Sequence, residues 1–150
     1  MRVIKGNIFD LAENGEFDVV LHGCNCFCTM GSGIAKEVRR RYPEAYAADC
    51  RTIKGSQQKL GDYSVAEIER LNKHPFTLLN CYTQYNYGKE GEYANYNAIK
   101  TVMRYVKYNF GHKKIAYPLI GAGKAGGDWS VIKRIIEEEL KGCDHTLVLL

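Results

Sequence analysis

A glycine-rich segment late in the sequence has the residue types that bind phosphate. Residues 121–126 read Gly-Ala-Gly-Lys-Ala-Gly and match G-x-G-x-x-G, between a predicted strand and a predicted helix. The backbone N–H groups of such a loop, close to a helix N-terminus, can hold a phosphate group. A dinucleotide-binding fingerprint would open its domain, with a second strand and an acidic residue about 20 residues further on. This segment lies late in the sequence instead. The segment is therefore either a phosphate loop of another kind or a plain tight turn.

A second glycine-containing segment, residues 28–34 (Cys-Thr-Met-Gly-Ser-Gly-Ile), also joins a predicted strand to a predicted helix. The carboxyl ends of parallel strands meet at one edge of a sheet, where open α/β sheets bind ligands. A single phosphate needs one loop, whereas two facing loops suit a diphosphate. The pair therefore predicts a cleft for a ligand that contains a diphosphate.

Three polar residues beside these loops are candidates for catalysis. His22 and Asn25 lie where the second predicted strand enters the first loop, and Asp128 precedes the last predicted helix. A histidine titrates near neutral pH and can move a proton. The alternative for His22 is a structural core histidine, and the alternative for Asp128 is the N-cap of the last helix.

The six cysteines do not have the spacing of a metal site. Cys24, Cys26 and Cys28 alternate with other residues, whereas zinc sites use C-x₂-C spacing, and no histidine cluster completes a ligand set. The sequence therefore predicts buried thiols in a reducing compartment, with no metal and no cofactor. No apolar run approaches the roughly 20 residues of a membrane helix, and the N-terminus is unlike a signal peptide. We expect a cytoplasmic protein.

Charge and aromatic content bear on the ligand. The 21 basic and 17 acidic residues give a net charge of +4, which fits an anionic ligand and is not by itself a nucleic-acid signature. We interpret the run Arg39-Arg40-Arg41 as a solvated helix face. The tyrosine-rich loop between Tyr82 and Tyr96 offers flat faces that could stack on a ribose or a base.

Strand and helix patterns alternate along the 150 residues. Short apolar or β-branched runs predict strands at 2–5, 18–24, 61–66, 76–82, 115–120 and 146–150. Apolar residues four apart predict helices at about 34–42, 44–53, 96–109 and 131–140. The alternation predicts one α/β domain over residues 1–150, with a mostly parallel sheet of about six strands and helices on both faces.

With these motifs in place, the sequence resembles the macro domain family over nearly its whole length. Each matching segment is weak alone, and together they are specific. They are Lys5-Gly6-Asn7-Ile8, residues 19–26 (VVLHGCNC), residues 30–35 (MGSGIA), Thr83-Gln84-Tyr85, residues 118–123 (PLIGAG) and Gly127-Asp128-Trp129. The resemblance implies a three-layer α/β/α fold with a mixed, mostly parallel sheet.

The resemblance also implies a site for ADP-ribose. The two loops would grip the diphosphate, Asn7 would meet the adenine amino group, and Asn25 would lie at the distal ribose. The implied ligand-binding residues are Asn7, Ile8, Gly31, Ser32, Gly33, Ile34, Gly121, Ala122, Gly123, Lys124, Ala125 and Gly126. The expected partner is a small molecule, ADP-ribose or a derivative, bound by a monomer, and nucleic acid would enter only as an ADP-ribosylated substrate.

Within the family, the chain is most similar to the compact branch that contains the ADP-ribose-1''-phosphate phosphatases. That branch carries a histidine in its H-x-C-N-C element, and His22 matches it. The resemblance therefore implies hydrolysis of ADP-ribose-1''-phosphate to ADP-ribose and phosphate. His22 would be general base or nucleophile, Asp128 would orient it or donate to the leaving oxygen, and Asn25 would fix the ribose.

Two other functions remain open on the sequence. One is a hydrolase that removes ADP-ribose from protein or nucleic acid. Such hydrolases use a lysine in mid-chain, where this chain reads Cys81-Tyr82-Thr83-Gln84. The other is a non-catalytic ADP-ribose reader, which needs no titratable group at the distal ribose. A basic rim for a nucleic-acid substrate could come from Lys36, Arg39, Lys89 and Lys124.

Overall fold

The computed structural model describes residues 1–88 and 91–150. Six strands form one sheet in the order β1-β6-β5-β2-β4-β3. Neighbouring strands are parallel except at one edge, where β3 runs antiparallel to β4. The strands are β1 (Arg2–Lys5), β2 (Val19–Cys24), β3 (Tyr63–Ile68), β4 (Phe76–Tyr82), β5 (Ile115–Tyr117) and β6 (His145–Leu149). The predicted mixed, mostly parallel sheet is confirmed.

Helices cover both faces of this sheet. They are α1 (Ile8–Glu13), α2 (Gly33–Arg41), α3 (Pro43–Cys50), α4 (Tyr96–Phe110) and α5 (Trp129–Glu139), with a short 3-10 helix at Gln57–Lys59. One apolar cluster joins α1, α2 and α3 to the sheet, and a second joins α4 and α5 to it. The predicted three-layer α/β/α arrangement is confirmed. Within the described residues, no helix is long and apolar enough to cross a membrane.

Strand β2 contributes to both apolar clusters because successive side chains point to opposite faces. Val19 and Leu21 pack with the cluster of α4 and α5, whereas Val20 and Cys24 pack with that of α1 to α3. A strand covered on both faces is apolar along most of its length. By the same alternation, the side chain of His22 is placed on the face of Val20 and Cys24.

The structure differs from the sequence-based elements at several boundaries. Helix α1 was not predicted, because its six residues are too few to show a helical period. Strand β5 ends at Tyr117 rather than at residue 120, since Pro118 has no N–H to continue the ladder. Helix α5 begins at Trp129 rather than at residue 131, because Asp128 caps it.

Candidate active site

A cavity of about 900 Å³ lies at the carboxyl ends of the parallel strands. It reaches from the loop after β1 to the residues after β4, with β6, β5 and β2 between them. Neighbouring strands lie about 4.8 Å apart, so the floor from β1 to β4 is on the order of 20 Å across. Both glycine loops line this one cavity, as the sequence predicts.

The first glycine loop delivers the N-terminus of α2 to the cavity. Gly31, Ser32, Gly33, Ile34 and the following alanine all line it. The Ser32 side chain does not cap the helix, and the first N–H groups of a helix have no partner within it. Gly33 has φ +58°, a conformation that favours glycine. The loop therefore presents free backbone donors and the positive end of a helix dipole to the cavity.

The second glycine loop follows β5 and contains two residues in the left-handed region, Gly121 (φ +74°) and Gly126 (φ +73°). The Gly127 N–H donates to the Gly121 carbonyl at 2.9 Å and closes the loop. At Gly123 an added Cβ would meet nothing within 4 Å, so its backbone is open to an approaching ligand. The predicted residues Gly121, Gly123, Lys124 and Ala125 line the cavity.

Two predicted members of the second loop lie away from the cavity. Ala122 packs against the apolar cluster of α4 and α5. Gly126 lies against the Gly91 carbonyl, where a side chain would clash. The cavity lining therefore does not include these two residues, and their predicted contact with the ligand stays a prediction.

The two ends of the cavity differ in polarity. The end at β1 and β6 is walled mainly by apolar residues: Ile8, Phe9, Val148, Leu149 and Leu150. The end at β2 and β4 carries polar side chains: Asn25, Thr29, Asp49 and Gln84. The second glycine loop follows β5 and lies between these ends, and the first follows β2 and borders the polar end. The cavity thus has an apolar end, a stretch of backbone donors and a polar end.

Asn7 lies at the apolar end and lines the cavity. Its Oδ1 accepts hydrogen bonds from the N–H groups of Phe9 and Asp10, both at 3.0 Å, and so caps α1. The resemblance implies that the Asn7 side chain contacts adenine. In the structure, its oxygen already accepts hydrogen bonds at the N-terminus of α1.

Asn25 lies at the polar end and also lines the cavity. Its Oδ1 accepts from the Phe27 N–H at 2.8 Å, and its Nδ2 donates to Thr29 Oγ1 at 2.7 Å. The side chain thus fixes the conformation of the first loop from within.

His22 does not line the cavity. Its side chain has no exposed surface, and Nε2 lies 2.6 Å from Oδ1 of Asn80 on β4. Burial lowers the pKa of His22 to about 4, although the hydrogen bond to Asn80 opposes this shift. The prediction that His22 sits at the reacting bond is not supported by this placement, because β2 directs the ring into the layer beneath the cavity.

Asp128 does not line the cavity either. It is exposed at the N-cap of α5, where its Oδ1 accepts from the Ser130 N–H at 2.9 Å and from Ser130 Oγ at 2.7 Å. These hydrogen bonds from Ser130 lower the pKa of Asp128. His22 and Asp128 are therefore not brought together, and the placement of Asp128 matches the N-cap alternative.

The structure adds acidic and amide residues that the sequence analysis did not select. Asp49 lies at the base of the polar end, 1% exposed, and Tyr82 donates its hydroxyl proton to Oδ1 at 2.7 Å. Gln84 and Glu37 also line the cavity, and Glu37 pairs with Arg40. For Asp49 a signal was present: Ala45, Ala48 and Asp49 have the spacing of one buried helix face.

The thiols of the first loop do not converge on a metal-binding arrangement. Cys24 and Cys26 are buried, and Cys28 Sγ lies 3.3 Å from the Asp49 carbonyl oxygen. In the part of the chain that the structure describes, no group of three His, Cys, Asp or Glu side chains could hold a metal ion.

A shallower groove of about 620 Å³ adjoins the cavity at the first glycine loop. Lys36, Arg39 and Arg40 line it together with Glu37. Arg39 stacks over the Tyr46 ring at 4.0 Å and donates to the Thr29 carbonyl at 3.1 Å. The groove therefore carries a basic surface next to the cavity. Lys89, also expected on a basic rim, lies outside the described residues.

Comparison with known proteins finds relatives over most of the chain. An uncharacterised 17.5 kDa protein from the tk-vs intergenic region of Enterobacteria phage T4 is 37% identical over 143 residues, covering 91% of this chain and 88% of that protein. A DNA ADP-ribosyl glycohydrolase of Mycobacterium tuberculosis is 26% identical over 119 residues, covering 79% of this chain but 34% of the relative. An ADP-ribose 1''-phosphate phosphatase of Saccharomyces cerevisiae is 23% identical, covering 90% of each chain.

Solved structures share the fold at low identity. The Thermosipho africanus DarTG structure in complex with ADP-ribose matches with a TM-score of 0.77 and 17% identity, covering all of this chain and 42% of that one. The macrodomain of Thermus aquaticus DarG matches with a TM-score of 0.73 and 20% identity, covering 99% and 97%. The Macro domain family profile matches residues 21–136, which include both glycine loops. The chain therefore belongs to the Macro domain family.

Proposed function

We propose that this chain binds ADP-ribose in the cavity and hydrolyses the phosphomonoester of ADP-ribose-1''-phosphate. The observation that carries the proposal is the meeting of two glycine loops on one cavity at the ends of β2 and β5. Backbone donors then approach a diphosphate from two sides, and the first turn of α2 adds its dipole.

The polarity of the cavity sets the direction of the ligand. The apolar end formed by Ile8, Phe9 and residues 148–150 suits the flat face of adenine. The polar end with Asn25, Asp49 and Gln84 suits the hydroxyl groups of the distal ribose and the phosphate attached to it. The scissile bond would lie at this polar end.

The expected catalysis depends on fixed backbone donors more than on side chains. Phosphate monoesters hydrolyse extremely slowly in water, so the site must lower a large barrier. Donors held on the rigid ends of β2 and β5 orient the substrate and stabilise charge without reorganising. His22 has no direct part in this scheme, because its ring lies beneath the cavity.

One relative of similar length supports a small-molecule substrate. The yeast relative named as an ADP-ribose 1''-phosphate phosphatase is covered over 90% of its length. The relatives named as DNA ADP-ribosyl glycohydrolases are covered over 34% to 39% of theirs.

Two measurements test the proposal. In calorimetry, ADP-ribose should bind and AMP should bind much more weakly, because AMP engages one phosphate subsite and lacks the distal ribose. The rate of phosphate release from ADP-ribose-1''-phosphate should rise in proportion to the enzyme concentration. Equal affinity for AMP and ADP-ribose would contradict the two-loop site, and binding without phosphate release would make the chain a reader.

A second candidate function is removal of ADP-ribose from nucleic acid. The observation that favours it is the basic groove of Lys36, Arg39 and Arg40 beside the first glycine loop, where a nucleic-acid backbone could lie. An ADP-ribosylated oligonucleotide would then be hydrolysed with a steep salt dependence. The variant Lys36→Ala should slow that reaction and leave small-substrate turnover unchanged. No release of ADP-ribose from the oligonucleotide would eliminate this candidate.

A further inference from the structure

A chain of hydrogen bonds runs through the layer beneath the polar end of the cavity. His22 Nε2 lies 2.6 Å from Asn80 Oδ1, and Asn80 Nδ2 donates to Ser64 Oγ at 2.9 Å. Ser64 Oγ lies 2.8 Å from the Tyr82 hydroxyl, which donates to Asp49 Oδ1 at 2.7 Å. The chain therefore links the interior histidine of β2 to a carboxylate at the cavity.

The donors in this chain all point the same way. Asn80 Nδ2 and the Tyr82 hydroxyl donate towards Asp49, which leaves Ser64 to donate to Tyr82 and His22 to donate to Asn80. Such chains polarise one another, so each donor strengthens the next. The series ends on Asp49, and an ionised carboxylate accepts hydrogen bonds without donating any. The arrangement stabilises Asp49 as a carboxylate with one oxygen fixed in place.

Tyr82 holds one of the two oxygens of Asp49. The carboxylate also interacts with the Cys28 thiol, a weak donor, and no N–H or O–H group of the described residues donates to Oδ2. Oδ2 is not one of the fully buried side-chain oxygens and nitrogens that lack a hydrogen-bond partner. Within the described residues, Thr83 Oγ1 is the one atom of that kind. Asp49 is one of the residues lining the cavity. Asp49 is 1% exposed, so a water molecule or a ligand can reach it only over a small area at the polar end.

The surroundings of Asp49 affect its proton affinity in opposite directions. Burial raises the pKa of Asp49, while the Tyr82 hydrogen bond, the charge of Lys59 and the Cys28 thiol oppose that shift. The Lys59 ammonium lies 3.6 Å from Cys28 Sγ and 4.6 Å from the centre of the Tyr82 ring. The titratable groups that interact with this carboxylate are Tyr82, Lys59, Cys24, Cys26, Cys28 and Tyr46.

We propose that Asp49 is the general base of the hydrolysis, an inference that rests on the proposed function. Oδ2 accepts a proton from a water molecule as the water oxygen bonds to the phosphorus of ADP-ribose-1''-phosphate. The bond between phosphorus and O1'' breaks, and its electron pair stays on O1'', which takes up a proton from a solvent water molecule. The products are ADP-ribose and inorganic phosphate, and Asp49 then returns its proton to solvent.

Tyr82 is the positioning residue for this base. Its hydroxyl fixes Oδ1 and leaves Oδ2 free of a tyrosine partner. Because the same hydrogen bond lowers the pKa of Asp49, loss of the hydroxyl raises the pH at which the base becomes protonated. A purely structural tyrosine would not move that pH.

The main test is Asp49→Asn, which keeps the shape of the side chain and an oxygen for the Tyr82 hydroxyl. Its kcat for phosphate release should fall about 10²-fold or more, the usual contribution of a general base. ADP-ribose affinity should stay within about threefold, below ~0.7 kcal/mol. The control is Asp62→Asn at an exposed carboxylate away from the cavity, whose Oδ1 accepts from the Tyr63 N–H at 2.8 Å. It should behave as wild type.

A binding readout separates failure of this inference from failure of the proposed function. Because Asp49→Asn removes a negative charge from the scissile end, it should bind ADP-ribose-1''-phosphate more tightly than wild type, with ADP-ribose affinity unchanged. If wild type releases no phosphate, the proposed function fails and the inference with it. If wild type releases phosphate and Asp49→Asn does so within about threefold of its rate, the inference alone is wrong, since a general base contributes far more.

A second variant keeps the inference testable if Asp49→Asn does not fold. In Tyr82→Phe, the acid limb of the pH profile of kcat should move to higher pH while the plateau at high pH changes less. The limb is the fall in kcat as Asp49 is protonated, so a weaker hydrogen bond to the carboxylate moves it upward. An acid limb at the wild-type pH in folded Tyr82→Phe would overturn the assignment.

Discussion

His22 Nε2 on β2 lies 2.6 Å from Asn80 Oδ1, directly opposite it in the parallel register with β4. Both side chains are sealed from solvent. Asn80 uses its Nδ2 towards the Ala45 carbonyl and Ser64 Oγ, so its Oδ1 is the acceptor for the imidazole. A buried polar pair of this kind stabilises the sheet only while both partners are present.

His22→Ala should therefore lower stability more than binding. The truncation leaves Asn80 without a donor and opens space in the core, so the free energy of unfolding should fall by about 1–3 kcal/mol. ADP-ribose affinity should stay within about threefold, below ~0.7 kcal/mol, because His22 does not line the cavity. Urea denaturation and calorimetry on one preparation test this. A large loss of ADP-ribose affinity at unchanged stability would show that His22 contributes to the ligand site.

Acidification should destabilise the protein through the same residue. Burial holds the pKa of His22 at about 4 in the folded state, against an ordinary value of 6.5. Between these values the unfolded chain binds the extra proton, so stability present above pH 6.5 is lost as the pH falls towards 4. From pH 6.5 to 5 the loss should be about 2 kcal/mol.

The matched control for this pH effect is His22→Gln, which cannot titrate. The pKa of His145 is also lowered by burial, and that residue titrates in both proteins. The wild-type loss of unfolding free energy between pH 6.5 and 5 should therefore exceed that of His22→Gln. Identical slopes would show that His22 is not the group responsible.

Gly123→Val should weaken ADP-ribose binding without changing the melting temperature. An added Cβ meets no atom within 4 Å at this position, so the folded protein accommodates it. The same side chain would occupy the approach of a phosphate to the loop backbone. The comparison variant is Gly126→Ala, which should destabilise the protein because its Cβ clashes with the Gly91 carbonyl. A Gly123→Val protein that binds as wild type does would place the diphosphate elsewhere.

Thr83→Val should stabilise the protein or leave it unchanged. Thr83 Oγ1 is buried with no hydrogen-bond partner among the described residues. A buried unpaired hydroxyl costs about 1–3 kcal/mol, and valine has nearly the same shape without it. Thermal unfolding should show an equal or higher midpoint. A clear fall in the midpoint would indicate that the hydroxyl has a partner, such as a bound water molecule.

The sequence was most informative where an element is a buried apolar run with clear ends. Strand β4 lies at 76–82 as predicted, because its largely apolar run lies between Pro75 and Thr83 and is covered on both faces. The 3.6-residue period identified α4 because one face of that helix is buried along its length. Helix α1 was missed because six residues give no period, and its N-cap, Asn7, is also part of a motif.

Backbone features of the candidate site are easier to predict from sequence than side-chain directions. Glycine loops are recognisable by composition, and the predicted Gly33 and Gly123 both line the cavity. The direction of a side chain depends on the strand or helix that carries it. His22 was selected for its chemistry, although the alternation of β2 aligns it with Val20 and Cys24 in the core. Asp49 was overlooked because an acidic residue in a helix is usually solvated.

The six cysteines differ in exposure, so their reaction with a thiol reagent can report on opening of the fold. Cys50 is exposed, whereas Cys81 is fully buried in β4, between β2 and the edge strand β3. Cys50 should be labelled at once by a thiol reagent, and labelling of Cys81 must wait until the sheet separates from the helices above it. The delay between the two reactions would measure how often this molecule opens under native conditions, without denaturant. Saturation with ligand should lengthen that delay in proportion to its affinity for the closed form.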